Sequence, residues 1–334
     1  MSAEIQTAKA VEPSDAPPMS TSVTDVRSSE AAVRLTHVVK SFGAKVAVAD
    51  LTLRIAKGSV FGLIGPNGAG KTTTFSMLAG YLQPTSGELE VLGFGPQEVE
   101  RLRGRVGVLP QDALLPPNDR VGDFLVHLAR LQGIAGAEAI TAAEQVLTEV
   151  EGRDWWAMKC GALSHGMAKR VGIAQAFLGN PDLVMLDEPT AGLDPKIAFE
   201  VRQIIKGKKG KCTLVISSHN MHELEELCDA AAILDHGKLV SAGSMRDLTA
   251  SSQEIHVLLA AGPVPLEPVR ALPCAQRVEF DEASRELVVY FERSKVDAEQ
   301  VIAEVLWVLL NERARISGVT KGKGLEQRVM ELTG

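Results

Sequence analysis

Eight consecutive residues, Gly65-Pro66-Asn67-Gly68-Ala69-Gly70-Lys71-Thr72, constrain this chain more than any other feature. They complete a G-x-x-x-x-G-K-[ST] pattern, and the flanks are those it requires: an apolar run from Ser59 to Ile64 before it and a helix-compatible run from Thr73 to Leu82 after it. Glycines at 65, 68 and 70 let successive backbone N–H groups converge where a Cβ would block a phosphate oxygen. The helix that follows adds its positive end. Lys71 supplies a mobile charge for the β- and γ-phosphates, and the Thr72 hydroxyl suits Mg²⁺, which takes few protein ligands and keeps several waters. The expectation is strand, loop and helix around a nucleotide. Gly65, Pro66, Asn67, Gly68, Ala69, Gly70, Lys71, Thr72 and the adjoining Thr73 are its binding residues.

A chain of 334 residues is long enough for two domains and a sizeable core, and 45% hydrophobic with 23% charged residues is a globular composition. The net charge of −7 argues against nucleic acid as the main partner, since neutralising phosphates needs a basic face. One basic cluster, Lys206, Lys208, Lys209 and Lys211, reads as a solvated turn. The cysteines at 160, 212, 228 and 274 are too widely spaced for a metal ribbon or a disulfide framework, so reduced thiols are expected. No apolar run approaches the roughly 18 residues needed to span a bilayer, and nothing near residue 1 resembles a signal peptide. A membrane process would need its membrane part from another chain.

Residues 1–30, rich in Ser, Thr, Ala, Pro and acid, read as a disordered tail. Strand-like runs follow at Val33 to Val39 and Val46 to Ile55, with Phe42 between them, a residue that fits either a rim contact or stacking on a base. Gly87 to Gly93 and Val106 to Pro110 read as strands, the latter ending at Gln111. Apolar residues at three- and four-residue spacing then predict helices over Val121 to Gln132 and Ala137 to Glu151, inside a helical insert spanning about 112–161. Trp155 and Trp156 in that insert read as packing residues, and a further helix is predicted from about Ala168 to Leu178. Leu183 to Leu186 is a short apolar run typical of a strand buried on both faces, and it ends in Asp187-Glu188. Paired carboxylates there are costly unless they have a partner or a task; beside a phosphate loop, Asp187 fits the Mg²⁺-organising acid and Glu188 the activator of a water. Thr213 to Ser218 is another buried strand, ending at His219.

From Val33 to Leu248 these motifs, in this order, resemble the ATP-binding subunit of ABC transporters. The resemblance implies an α/β fold: a P-loop NTPase cassette with an antiparallel β subdomain, a mostly parallel core sheet and the helical insert. It makes Phe42 the base-stacking aromatic, Gln111 a residue that reaches both metal and attacking water, Asp187 with Thr72 the other metal-site residues, Glu188 the base and His219 the switch histidine. Leu163-Ser164-His165-Gly166-Met167 stands where the family's signature does, in the form LSHGM rather than LSGGQ, with Ser164 and Gly166 the nucleotide-contacting positions. Ala191-Gly192-Leu193-Asp194 resembles the loop that crosses the dimer interface, with alanine in place of the usual serine. The implied cofactors are ATP and Mg²⁺. The implied partners are a second cassette, bound head to tail so that each ATP meets one phosphate loop and the other signature, and a polytopic membrane permease on a separate chain. That would place the chain in the cytoplasm, peripheral on the inner face of the membrane, powering transport and, by its signature variant, export. The competing class is a soluble ABC-type ATPase of DNA repair or translation; the acidic charge and the lack of a long coiled-coil insertion between Gln111 and Leu163 weigh against it.

Beyond about Ser251 the pattern changes. Strands are predicted over Glu254 to Leu259, Arg277 to Phe280, Glu286 to Phe291 and Ala314 to Val319, with helices over Leu266 to Leu272 and Ala298 to Asn311. That βαββαβ order is the order of a small ferredoxin-like α+β domain. The expected organisation is a tail to residue 30, a cassette over 31–248, and an accessory domain over 251–334 with a regulatory or dimer-supporting role.

Overall fold

The computed structural model describes residues 30–333 apart from 96, 113, 251–253, 293–295, 323 and 324, so the expected tail lies outside the described residues. The chain begins with two long antiparallel strands, β1 (Ala31–Phe42) and β2 (Lys45–Ala56), then β3 (Val60–Ile64), which feeds helix α1 (Lys71–Leu78). Next come β4 (Ser86–Val91), β5 (Val106–Leu109), α2 (Val121–Leu131), α3 (Gly136–Glu149), α4 (His165–Phe177) and β6 (Leu183–Asp187). The cassette continues through α5 (Pro195–Lys206), β7 (Thr213–Ser217), α6 (Met221–Leu227), β8 (Ala230–Asp235), β9 (Lys238–Ser244) and α7 (Met245–Ala250). The last part holds β10 (Glu254–Leu259), α8 (Leu266–Arg270), β11 (Arg277–Asp281), β12 (Glu286–Tyr290), α9 (Ala298–Asn311), β13 (Ile316–Lys321) and α10 (Leu325–Thr333).

A six-stranded sheet in the order β5-β6-β7-β3-β8-β9 forms the middle layer, parallel except for β9, which runs antiparallel to β8. Its central strands are apolar throughout because both faces are covered. Period-two alternation divides their side chains: Val60, Ile64, Val184, Leu186, Leu214 and Ile216 point into a core shared with the helices. Phe61, Leu63, Leu183, Met185 and Val215 point the other way, into a core closed by α1 and the antiparallel sheet β2-β1-β4. The phosphate loop therefore leaves the end of a strand fixed from both sides.

Several elements begin where a side chain can cap them. The Ser164 hydroxyl accepts the Met167 N–H at 3.3 Å, so α4 starts at His165, three residues before the expected start at Ala168. Asp194 accepts the N–H groups of Lys196 and Ile197, each at 3.1 Å, with Pro195 in the first turn of α5. Phe42 closes β1 instead of standing between the two strands. Trp156 lies against Gly122 of α2, where an added Cβ would come within 2.4 Å of its ring; the packing expectation holds. The lysine cluster is not simply solvated. Lys208 is buried and pairs with Glu149 at 2.6 Å, Lys206 pairs with Glu226 at 2.7 Å, and Lys209 with Asp229 at 2.5 Å. All four cysteines are free and buried, and burial pushes the thiols of Cys212 and Cys274 up to about 11.

The last sheet has the order β11-β12-β10-β13, antiparallel throughout, which is the ferredoxin-like arrangement of a βαββαβ chain. It has its own core, where Ile255, Val257, Leu287 and Val289 meet Val301, Val305 and Leu309 of α9. The end of the chain does something the sequence did not suggest. Helix α10 leaves this sheet and docks on the cassette, burying Leu325 and Val329 in the same core as Leu224 and Leu227 of α6 and Met245 and Leu248 of α7. Leu325→Ala is therefore expected to cost about 2–5 kcal/mol in a denaturant melt of the full chain, as for other fully buried leucines. A change below about 0.5 kcal/mol, the level of a surface substitution, would contradict that docking.

Candidate nucleotide-hydrolysis site

The loop between β3 and α1 is shaped by its glycines. Gly65 has φ 156°, and a Cβ there would come within 2.3 Å of the Leu234 carbonyl oxygen of β8. Gly70 has φ 98°, and a Cβ would meet the Ala47 carbonyl oxygen at 2.7 Å. Gly68, at φ 87°, faces open space, which is what a backbone approached by a phosphate needs. Pro66, Asn67 and Gly68 are exposed, whereas Ala69 is buried, its N–H bonded to the Pro66 carbonyl at 3.1 Å. Ala69 thus closes the loop from inside. Lys71 folds back over the loop, donating to the carbonyls of Gly65 at 2.6 Å and Pro66 at 3.1 Å. Burial pushes its ammonium down, while the carboxylates of Glu188 and then Asp187 pull it back up, so the lysine lies in the field of both acids.

Both acids sit at the end of β6. Asp187 is buried and accepts a hydrogen bond from the Ser217 hydroxyl of β7, its register partner. Glu188 has φ 50°, a left-handed conformation that is unusual for a non-glycine residue and typical of functional turns. Its N–H donates to the Ser217 carbonyl at 3.1 Å, and its Oε2 lies 2.7 Å from Nδ1 of His219. The Glu188 side chain is 11% exposed and that of His219 74%, so the pair faces outward from a buried anchor.

Thr72, Gln111 and Asp187 line one cavity of about 210 Å³, together with Phe75, Pro110 and Asp112. Hydroxyl, amide and carboxylate oxygens around one space are the donor set a hard divalent cation takes, so the expected metal residues fit Mg²⁺. Thr73 is half-buried in the first turn of α1. Phe42 is 49% exposed, with the Lys40 ammonium 5.1 Å from its ring centre.

Ser164 and Gly166 lie elsewhere. Among the described residues no hydrogen bond joins either to the phosphate loop. Ser164 is exposed at the tip of α4. Gly166 is buried against Ile197 of α5, whose Cδ1 would stand 2.6 Å from an added Cβ. His165, in the variant position of that motif, sits beside Gly192, its Nε2 3.3 Å from where a Cβ of Gly192 would be.

Sequence reasoning missed four participants. Ser217 holds Asp187; the run Ser217-Ser218-His219 was the available signal. Gly237 brings the β8–β9 turn against the loop, its N–H donating to the Ala69 carbonyl at 3.1 Å. Lys169 of α4 is pushed down by burial and pulled up by Glu188, Asp187, Asp112 and Glu223, so a second cation shares the acids' field. Glu223 lies buried behind the site.

The ABC transporter family model matches residues 48–191. The Nod factor export ATP-binding protein I of Paraburkholderia xenovorans is 33% identical over 308 residues, 91% of this chain and 98% of that protein. A linearmycin resistance ATP-binding protein of Bacillus subtilis is 33% identical over 214 residues, 64% of this chain and 69% of that protein. Among solved structures, an ATP-binding subunit of an ABC transporter superposes with a TM-score of 0.60 at 27% identity, over 65% of this chain and 91% of that one. A dimeric ATP-binding cassette in a post-hydrolysis state, bound to ADP and Pi, superposes with a TM-score of 0.59 at 25% identity, over 64% of this chain and 99% of that one.

A charge-assisted contact from a lysine to phosphate is worth about 1.5–3 kcal/mol or roughly 10- to 150-fold in affinity. Lys71→Ala is expected to lower ATP affinity in calorimetry by that factor, with an unchanged circular dichroism spectrum. Unaltered affinity would exclude the loop as the phosphate site.

Proposed function

The chain belongs to the ATP-binding subunits of ABC transporters, and on that premise we propose that it hydrolyses Mg-ATP between two head-to-tail cassettes to drive export through a separate membrane permease. The observation that carries the chemistry is the Glu188–His219 contact of 2.7 Å, anchored by Asp187 and Ser217 beside Lys71. Water attacks the γ-phosphorus while the bond to the β–γ bridging oxygen breaks. Glu188 takes the water's proton, His219 keeps the carboxylate oriented, and Lys71 with the loop N–H groups stabilises the negative charge on the phosphates. Thr72, Gln111 and Asp187 would hold Mg²⁺, which when bound would neutralise phosphate charge. The base rests on Phe42.

The head-to-tail arrangement is supported by the absence, among the described residues, of any hydrogen bond from Ser164 or Gly166 to the phosphate loop of the same chain, and a dimer by the dimeric cassette among the structural relatives. Export is supported by relatives whose names state Nod factor export and linearmycin resistance; neither cargo is carried over to this chain. A permease on another chain and a peripheral place on the inner membrane face follow from the family premise; no helix among the described residues is long and apolar enough to cross a membrane. We assign the cassette to 31–248 and the accessory unit to 251–334, with α10 as the strap that ties the second to the first.

Glu188→Gln keeps the shape of the base but removes its ability to accept a proton. Hydrolysis is expected to fall by about 10²–10⁴, the usual contribution of a general base, while ATP binding persists. With two uncleaved ATP molecules bridging the cassettes, this variant accumulates as a dimer in Mg-ATP, read by size-exclusion chromatography with light scattering. A wild-type hydrolysis rate would remove Glu188 from the base role.

A further inference from the structure

We propose that Glu223 is a positioning residue for hydrolysis, a buried latch that locks the turn after Glu188 to the segment carrying His219; this rests on the assignment of those two residues to the reaction. Glu223 lies in the first turn of α6 and is 1% exposed. Its Oε2 accepts two hydrogen bonds from different elements: from the Thr190 hydroxyl at 2.7 Å, and from the Ser218 hydroxyl at 2.9 Å. Thr190 stands two residues after Glu188, and Ser218 directly precedes His219.

The rest of the network fixes the direction of each bond. Oε2 is the acceptor in both bonds, so both hydroxyl protons are committed to Glu223. The lone pair left on Ser218 takes the Asn220 N–H at 3.1 Å, and Asn220 in turn caps α6 by accepting the Glu223 N–H at 3.2 Å. On the other arm, the Thr190 carbonyl accepts the Leu193 N–H at 3.2 Å, and the Glu188 carbonyl accepts the Ala191 N–H at 3.3 Å. One carboxylate therefore sets the spacing between the base and the histidine, and with it the course of residues 191–194 toward a second cassette.

Stability alone does not account for it. Oε1 of Glu223 is buried and has no hydrogen-bond partner among the described residues. A buried carboxylate with one oxygen unsatisfied is costly, and an apolar side chain of similar size would serve the fold better. The geometry is that of groups behind an active site that orient the groups in front of it.

The test uses the full-length chain. Thr190→Val, which removes one hydroxyl with little change in volume, and Glu223→Ala are each expected to lower kcat at saturating Mg-ATP by roughly tenfold or more, the usual effect of losing such an orienting partner. Nucleotide Kd should stay within about twofold, because neither residue touches ATP. Glu223→Gln, whose amide oxygen can still accept both hydroxyls, should recover most of the rate, and adding Thr190→Val to Glu223→Ala should cost nothing further. Wild-type kcat in folded Thr190→Val and Glu223→Ala would overturn the proposal. So would a loss of kcat that parallels losses of affinity and melting temperature and is not recovered by glutamine. Glu188→Gln measured alongside separates the two claims. If it hydrolyses at full rate, the hydrolysis assignment itself fails; if it is slow while Glu223→Ala is fast, only the latch fails.

Discussion

Two carboxylates at the end of a strand buried on both faces set the terms for the rest of this molecule. Asp187 and Glu188 would each cost several kcal/mol if left uncompensated in such a place. The surrounding structure supplies what they need: a hydroxyl and a carbonyl from Ser217, an imidazole from His219, and the nearby ammonium groups of Lys71 and Lys169. Removing the lysine would leave charge uncompensated; removing the acids would leave the lysine half-buried without counter-charge. Phosphate loop and acids are thus interdependent before any nucleotide arrives.

This interdependence explains why the cassette is built as a sandwich. The acids lie at the end of β6, Lys71 follows β3, and β7 lies hydrogen-bonded between these strands, so three adjacent parallel strands deliver the acids, the His219 segment and the phosphate loop to one edge. Cores on both faces hold these strand ends in register. Ligands of open parallel sheets bind outside the carboxyl ends of the strands, and this site follows that rule. Ser164 and Gly166 at the tip of α4 make no hydrogen bond to the phosphate loop among the described residues, and Gly166 is held by its close approach to Ile197. In the proposed head-to-tail dimer a second chain would bring its Ser164 and Gly166 to the nucleotide.

Much of this was legible in the sequence because the informative residues are constrained locally. The loop glycines, the apolar run before Asp187 and the helix over Ala298–Asn311 each show their role in a stretch of ten residues or so. The helical insert and the βαββαβ order were readable for the same reason, whereas the antiparallel β subdomain and the mostly parallel sheet followed from the resemblance to ABC cassettes. What was missed depends on contacts distant in sequence. Helix α10 is short, and only its docking on α6 and α7 reveals why Leu325 is apolar. Lys208 looked solvated because its partner Glu149 is 59 residues away. Glu223 carries no local signal, and only its hydrogen bonds to Thr190 and Ser218 single it out. Phe42 was read between two strands because Gly43 marks the turn, yet β1 runs up to it.

The central claim is that the phosphate loop of one chain and the signature of another enclose the same ATP, and intermolecular cross-linking tests it most directly. Asn67 and Ser164 are both exposed, and the four native cysteines are buried, so introduced thiols at these positions would report without interference. Chains carrying Asn67→Cys and chains carrying Ser164→Cys, each with Glu188→Gln to retain the nucleotide, would be mixed, oxidised with and without Mg-ATP, and separated on a non-reducing gel. The account requires a disulfide-linked dimer that joins one chain of each kind and forms only with ATP. A mixture that stays monomeric in saturating ATP, or that cross-links equally well without it, would contradict it.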